Sequence, residues 1–264
     1  MIITDRFTFV HVPKTGGTFV STVLFRLYDV RWTWLTHLIS SRKKNLVYKR
    51  GYGTFIYHNN KHGTCAEIPP EHQHKPVLMA VRNPYDLYVS QYEFGWWKRK
   101  EFLPYYRAVP GFASDYARFP DLNFREYVGL TNAAFCTPLD GAPGPGPALG
   151  LQSEVLVKYA FRDPRAALRS INEDRVASGR YREDMFDVRF VRTHRLNQEV
   201  HDFLLGMGYR GEDLEFILGL GKILPGGRGR AGGQRWEKYY TPELKDEVRK
   251  KEWLFFALFP EFDT

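Results

Sequence analysis

Cysteine is almost missing from this chain of 264 residues, which contains only Cys65 and Cys136. Two thiols can form one bridge at most, so a disulfide framework and a thiolate metal centre are both excluded; whether the two pair stays open. No stretch approaches the roughly 18 apolar residues of a membrane-spanning helix, and the N-terminus lacks the pattern of a secretory leader. Internal repeats are absent. Histidines, cysteines and acids do not gather at metal-ligand spacings, so no metal is expected. Basic residues form no continuous arm, and no nucleic-acid motif occurs, so nucleic acid is not an expected partner. These absences point to a single domain over residues 1–264, cytoplasmic if the chain is complete. A lumenal catalytic fragment would look the same, and nothing visible encodes an oligomeric state.

What is present is basic and aromatic. The 38 basic residues outnumber the 30 acidic ones, giving a formal charge of +8, and 16% of residues are aromatic. That balance favours an anionic ligand without choosing among nucleotides, acidic glycans and other polyanions. With 43% hydrophobic residues the chain can bury a full core.

The apolar run Phe7-Thr8-Phe9-Val10 reads as a strand, and Phe19 to Phe25 reads as the start of a helix. Between them lies His11-Val12-Pro13-Lys14-Thr15-Gly16-Gly17-Thr18. A strand, a tight loop and a helix N-terminus present successive backbone N–H groups and a partial positive charge to an anion. Lys14 adds a full charge, and Gly16 and Gly17 allow close approach of the backbone. The order of residues is wrong for a Walker loop, where the lysine follows the last glycine.

A second strand, Pro76 to Val81, is continuously apolar, as buried parallel strands are. It ends at Arg82-Asn83-Pro84, where Asn83 can cap a helix and Pro84 fits its first position; that helix is expected to run to about Trp97. Ser90 falls about two turns into it. Phe186 to Val191 alternates like a strand, Leu196 to Met207 reads as a helix ending near Gly208, and Thr241-Pro242 opens a last helix. Residues 141–147 form a Gly/Pro-rich loop, and residues 221–233 are glycine-rich and carry Arg228 and Arg230. Alternating strands and helices predict an α/β fold with a central parallel sheet flanked by helices in three layers. In such sheets ligands bind beyond the strand C-terminal ends.

The loop His11–Thr18 resembles the 5′-phosphosulfate loop of sulfotransferases that use 3′-phosphoadenylyl sulfate (PAPS). Val81-Arg82-Asn83-Pro84 with Ser90 resembles their 3′-phosphate motif, and Arg228 to Gly233 before Tyr239-Tyr240-Thr241-Pro242 resembles the C-terminal region of the carbohydrate-type and bacterial members. The resemblance implies a P-loop-like sulfotransferase fold and sulfuryl transfer from PAPS, with adenosine 3′,5′-bisphosphate as product. The acceptor would be a hydroxyl, or less readily an amine, of a glycan or small metabolite. It assigns Lys14, Thr15, Gly16, Gly17, Thr18, Phe19, Arg82, Ser90, Arg228 and Arg230 to the nucleotide, with Lys14 also stabilising the leaving phosphate. Lys61-His62-Gly63-Thr64-Cys65-Ala66 resembles a further family segment and makes His62 the favoured general base, with His58 and Glu67 as alternatives. His194 departs from the family's acidic residue and receives no role. Residues 101–185 carry no family motif and are read as the acceptor-side insertion. Two other classes remain in view: a nucleotide-dependent kinase with an atypical loop, and a non-enzymatic polyanion-binding module.

Overall fold

The computed structural model describes residues 1–31, 45–137, 149–223 and 234–264. Arg228 and Arg230, and the loop at 141–147, lie outside these residues. Along the chain come β1 (Ile2–Thr4), β2 (Thr8–Val10), α1 (Gly17–Leu27), β3 (Leu46–Arg50), β4 (Gly53–Tyr57), β5 (Val77–Val81), α2 (Pro84–Phe94), α3 (Leu103–Arg107), α4 (Phe112–Asp115) and α5 (Phe124–Phe135). They are followed by α6 (Leu151–Ala160), α7 (Pro164–Ser170), α8 (Glu173–Ala177), β6 (Val188–Arg192), α9 (Leu196–Gly206), α10 (Gly211–Leu218), α11 (Pro242–Lys251) and α12 (Trp253–Leu258). Among the described residues no helix is long and apolar enough to cross a membrane.

The described residues form two compact units. The first draws on Met1–Arg82, Tyr159–Arg162 and Met185–Gly229, and the second on Asn83–Lys158, Asp163–Asp184 and Arg230–Thr264.

The first unit is α/β. Its sheet has the order β3-β4-β1-β2-β5-β6. The pairs β1–β2, β1–β4 and β3–β4 are antiparallel, and β2–β5 and β5–β6 are parallel. The sheet is therefore mixed, not the parallel one that the alternating pattern predicts. The departure comes from β1 and the β3–β4 hairpin, which are short or only half-buried segments without the apolar run that marks β5. Gly51 and Gly53, at φ 55° and 109°, turn that hairpin in the left-handed region where a side chain would be strained. In the parallel part, Val10 lies opposite Met79 and Val81 opposite Arg192, which brings the C-terminal ends of β2, β5 and β6 to one edge. One core joins the sheet residues Phe9, Leu78, Ala80 and Val191 to Val20, Val23 and Leu24 of α1, Val200 and Leu204 of α9, and Leu214 and Ile217 of α10. Each fully buried side chain of this size contributes about 1.5–3 kcal/mol relative to exposure.

The second unit is helical. Asn83 caps α2 by accepting from the Tyr85 N–H at 2.9 Å, with Pro84 in the first turn, as its sequence predicts. The helix stops at Phe94, short of Trp97, because Gly95 adopts φ 68° and closes it in a left-handed cap. Trp97 is then free to leave the helical path, and it is fully buried beside Tyr92. At the other end of the sequence Thr241 accepts from the Leu244 N–H at 3.2 Å and Pro242 opens α11.

Both cysteines are buried and free, so the bridge that composition left open is not made.

A candidate anion site at the first helix

The loop after β2 is built by two left-handed residues, Lys14 at φ 67° and Gly16 at φ 95°, with Thr15 between them. Such alternation turns successive N–H groups toward one side, the geometry of an anion-binding concavity. A non-glycine residue at positive φ is held there only by its surroundings. Here those surroundings are visible. The Arg82 guanidinium donates to the Lys14 carbonyl at 3.0 Å. The buried Thr15 hydroxyl donates to the Val12 carbonyl at 2.9 Å. The Thr193 hydroxyl lies 2.9 Å from the Thr15 carbonyl and 2.8 Å from that of Val81. Thr193 follows β6 directly, so one hydroxyl ties together the tips of the three parallel strands.

Gly16 caps α1. Among the described residues no acceptor meets the N–H groups of Thr15, Gly16, Gly17 or Thr18. Phe19 differs: its N–H donates to the Gly16 carbonyl at 2.9 Å and its ring is in the core. Read from sequence as part of the cradle, Phe19 therefore closes the turn, and the open run stops at Thr18. Lys14 is half-buried beside it.

The glycines also do something the sequence does not announce. A Cβ on Gly17 would fall 2.0 Å from the His11 ring, so the space that glycine leaves is filled by that imidazole. A Cβ on Gly16 would meet Leu196 at 2.6 Å, in addition to its positive φ. The freedom of these positions thus serves packing beneath the loop. Burial pushes the His11 pKa down from 6.5 to about 2, with the nearby His62 and Lys61 adding to the effect, so His11 is neutral.

His62 reaches the same loop. Its Nδ1 lies 2.9 Å from the His11 carbonyl, and the two rings meet edge-on at 4.8 Å between centroids. A carbonyl only accepts, so Nδ1 carries the proton and Nε2 keeps its lone pair. The Tyr159 hydroxyl donates to the His62 carbonyl at 3.1 Å. Desolvation by the surrounding atoms lowers the His62 pKa, opposed by the His11 hydrogen bond and assisted by Lys61. The two alternatives are engaged otherwise. His58 Nδ1 accepts from the Asn60 N–H at 3.2 Å, which leaves its proton on Nε2. Glu67 accepts from the Thr64 N–H at 2.7 Å and from Asn60 at 2.9 Å, and these bonds, that of Thr64 first, hold its carboxyl below the usual range.

The structure therefore brings Lys14, Thr15, Gly16, Gly17, Thr18, Arg82, His11 and His62 together within the first unit. Ser90 belongs to the second unit, where it is buried on α2. His194 is exposed just after β6. Thr193 is the residue that sequence reading passed over; its one signal is a hydroxyl placed immediately after a strand.

No family model matches the chain, and no curated protein and no solved structure matches it either.

Proposed function

We propose that the chain is a sulfotransferase that takes a sulfuryl group from PAPS at the β2–α1 loop and passes it to a hydroxyl acceptor. The observation that carries this reading is the 3.0 Å hydrogen bond from Arg82 to the Lys14 carbonyl, made across 68 residues of sequence. It joins the two segments that resemble the family's 5′- and 3′-phosphate motifs. Four consecutive N–H groups without a protein acceptor among the described residues, and a half-buried lysine beside them, fit an anionic phosphate. A three-layer, P-loop-like architecture belongs to the same proposal, supported by the parallel β2–β5–β6 segment that carries the loop at its C-terminal edge.

The donor nucleotide supplies an activated sulfur; the chain's residues supply the rest. The N–H groups of Thr15 to Thr18 hold the 5′-phosphate, and Lys14 balances the charge that develops on it as its bond to sulfur breaks. Ser90 is assigned to the 3′-phosphate. Arg82 fixes the carbonyl of Lys14 and with it the loop's geometry. As the acceptor oxygen bonds to sulfur, its proton passes to Nε2 of His62, the nitrogen that the His11 carbonyl leaves free. Adenosine 3′,5′-bisphosphate departs. The acceptor is a glycan or small metabolite.

Thermal shift with adenosine 3′,5′-bisphosphate, ATP with magnesium, and an oligonucleotide tests the reading. At 100 times its Kd a ligand stabilises the native state by about 2.7 kcal/mol. Stabilisation by the bisphosphate is expected. A response to ATP with magnesium alone would replace this reading by a kinase, and a response to the oligonucleotide alone by a polyanion-binding module. Transfer from radiolabelled PAPS across an acceptor panel then identifies the second substrate.

A further inference from the structure

The second unit contains a groove of about 380 Å³ bordered by α3, α4 and the segment that follows them. Its walls are Leu103, Phe112, Ala113, Tyr116 and Phe119, and its one charged wall residue is Arg107. Phe112 stands 6.2 Å from Tyr116 and 5.6 Å from Phe119, ring to ring, so the aromatic side chains form one continuous surface. Volume and lining fall in the range of small-molecule sites, which are mostly apolar with a few polar groups that orient the ligand.

The charge at the groove decides what it takes. Arg107 ends α3, is exposed, and makes no ion pair or hydrogen bond among the described residues. Two acids act on the groove wall, where burial first and then their charges push the Tyr116 pKa up: Glu126 is offset by Arg118 and the Asn123 N–H, and Asp115, bonded to the Ser114 hydroxyl, keeps its charge beside the Phe112–Tyr116 end of the groove. The larger cavity, about 740 Å³ in the first unit, is the opposite case. Its Arg210 is already paired with Glu212 and Asp213.

We infer that the α3–α4 groove binds a single soluble anionic amphiphile, an alkyl or aryl chain ending in a carboxylate or sulfate. The chain lies on Phe112, Tyr116 and Phe119 and the head group pairs with Arg107. This site is independent of the nucleotide reading, and its test requires no nucleotide.

The test is calorimetry on the full chain with decanoate, decanol and decylammonium below their aggregation thresholds. Saturable binding of decanoate is expected, about tenfold or more tighter than decanol, with decylammonium weakest, since a charge-assisted hydrogen bond is worth roughly that much. Arg107→Gln should bring decanoate down to the level of decanol, and Arg107→Lys should restore part of the preference. Ala113→Trp should fill the groove and remove both ligands while Arg107→Gln keeps decanol binding. Equal affinity for all three compounds, or decanoate binding unchanged in Ala113→Trp, would overturn the inference. So would a dimer that Ala113→Trp dissolves in a chain that ignores decanoate; the groove would then belong to a second copy.

Discussion

Two helices in this protein start in opposite ways. The N-terminus of α6 is completed from within. The Leu151 N–H donates to Asn132 at 3.0 Å and lies 3.2 Å from the Tyr88 hydroxyl, and the Gln152 and Ser153 N–H groups donate to the two oxygens of Glu252 at 3.0 and 2.7 Å. Glu252 is fully buried, and a Cβ on Gly150 would lie 2.3 Å from it. Among the described residues no such carboxylate bonds to the N-terminus of α1. Its N–H groups meet no acceptor among the described residues, and the charge beside them is a lysine. Every helix start leaves donors that need partners. Where the chain supplies a buried carboxyl group the result is a structural joint. Where the described residues place a lysine and no carboxylate, the proposed ligand is the phosphate of a nucleotide.

That contrast can be broken at either end. The largest effect on folding is expected from Glu252→Ala, which takes the acceptor from three buried donors, the Gln152 and Ser153 N–H groups and the Tyr88 hydroxyl, and opens a cavity. A loss of about 2–5 kcal/mol, from the buried donors left without an acceptor and the cavity, should appear in denaturant unfolding. Lys14→Ala should do the reverse: transfer falls by about 10²–10³ or more while unfolding barely changes, because the lysine stabilises charge that develops only during reaction. Near-normal transfer in Lys14→Ala would remove the distinction between the two helix starts.

His62→Ala should cut kcat and leave adenosine 3′,5′-bisphosphate affinity intact. In the unmodified protein the base must be neutral, and its pKa is lowered from 6.5. The rate should therefore hold below pH 6.5 and fall only as pH drops through that depressed value. His62→Ala should abolish this limb.

His11 sharpens the comparison through stability. Its folded pKa, about 2, lies below the value of 6.5 in the unfolded chain. The unfolded state then binds the extra proton, so the contribution is complete above pH 6.5 and declines as pH falls below it. The slope is about 1.4 kcal/mol per pH unit. His11→Gln should flatten the curve by that amount. The smallest effect is expected from Thr193→Val, about 1 kcal/mol from one lost hydroxyl and its bonds to the strand tips.

The local elements around the candidate site are more legible in the sequence than the sheet that carries them. The β2–loop–α1 segment, the Asn83-Pro84 cap and the Thr241-Pro242 cap depend on neighbours within a few residues, and local chemistry reveals them. Strand β1 pairs with β4, and Glu252 reaches helix residues about a hundred positions away in sequence. No local pattern encodes such partners. The mixed sheet escapes a sequence reading for that reason, and so does the role of Glu252. Gly17 has a second reason to lack a Cβ that the sequence does not announce: that space belongs to His11, which lies six residues earlier and folds back beneath it. Phe19 likewise seemed to extend the cradle, and its N–H proves to be tied to Gly16.

Backbone amide chemical shifts, followed as adenosine 3′,5′-bisphosphate is added, test the central claim directly. The open start of α1 should respond: the signals of Thr15, Gly16, Gly17 and Thr18 shift and saturate together. Those of Gln152 and Ser153, already held by Glu252, should stay in place. Saturable binding that leaves Thr15 to Thr18 unmoved would contradict the account.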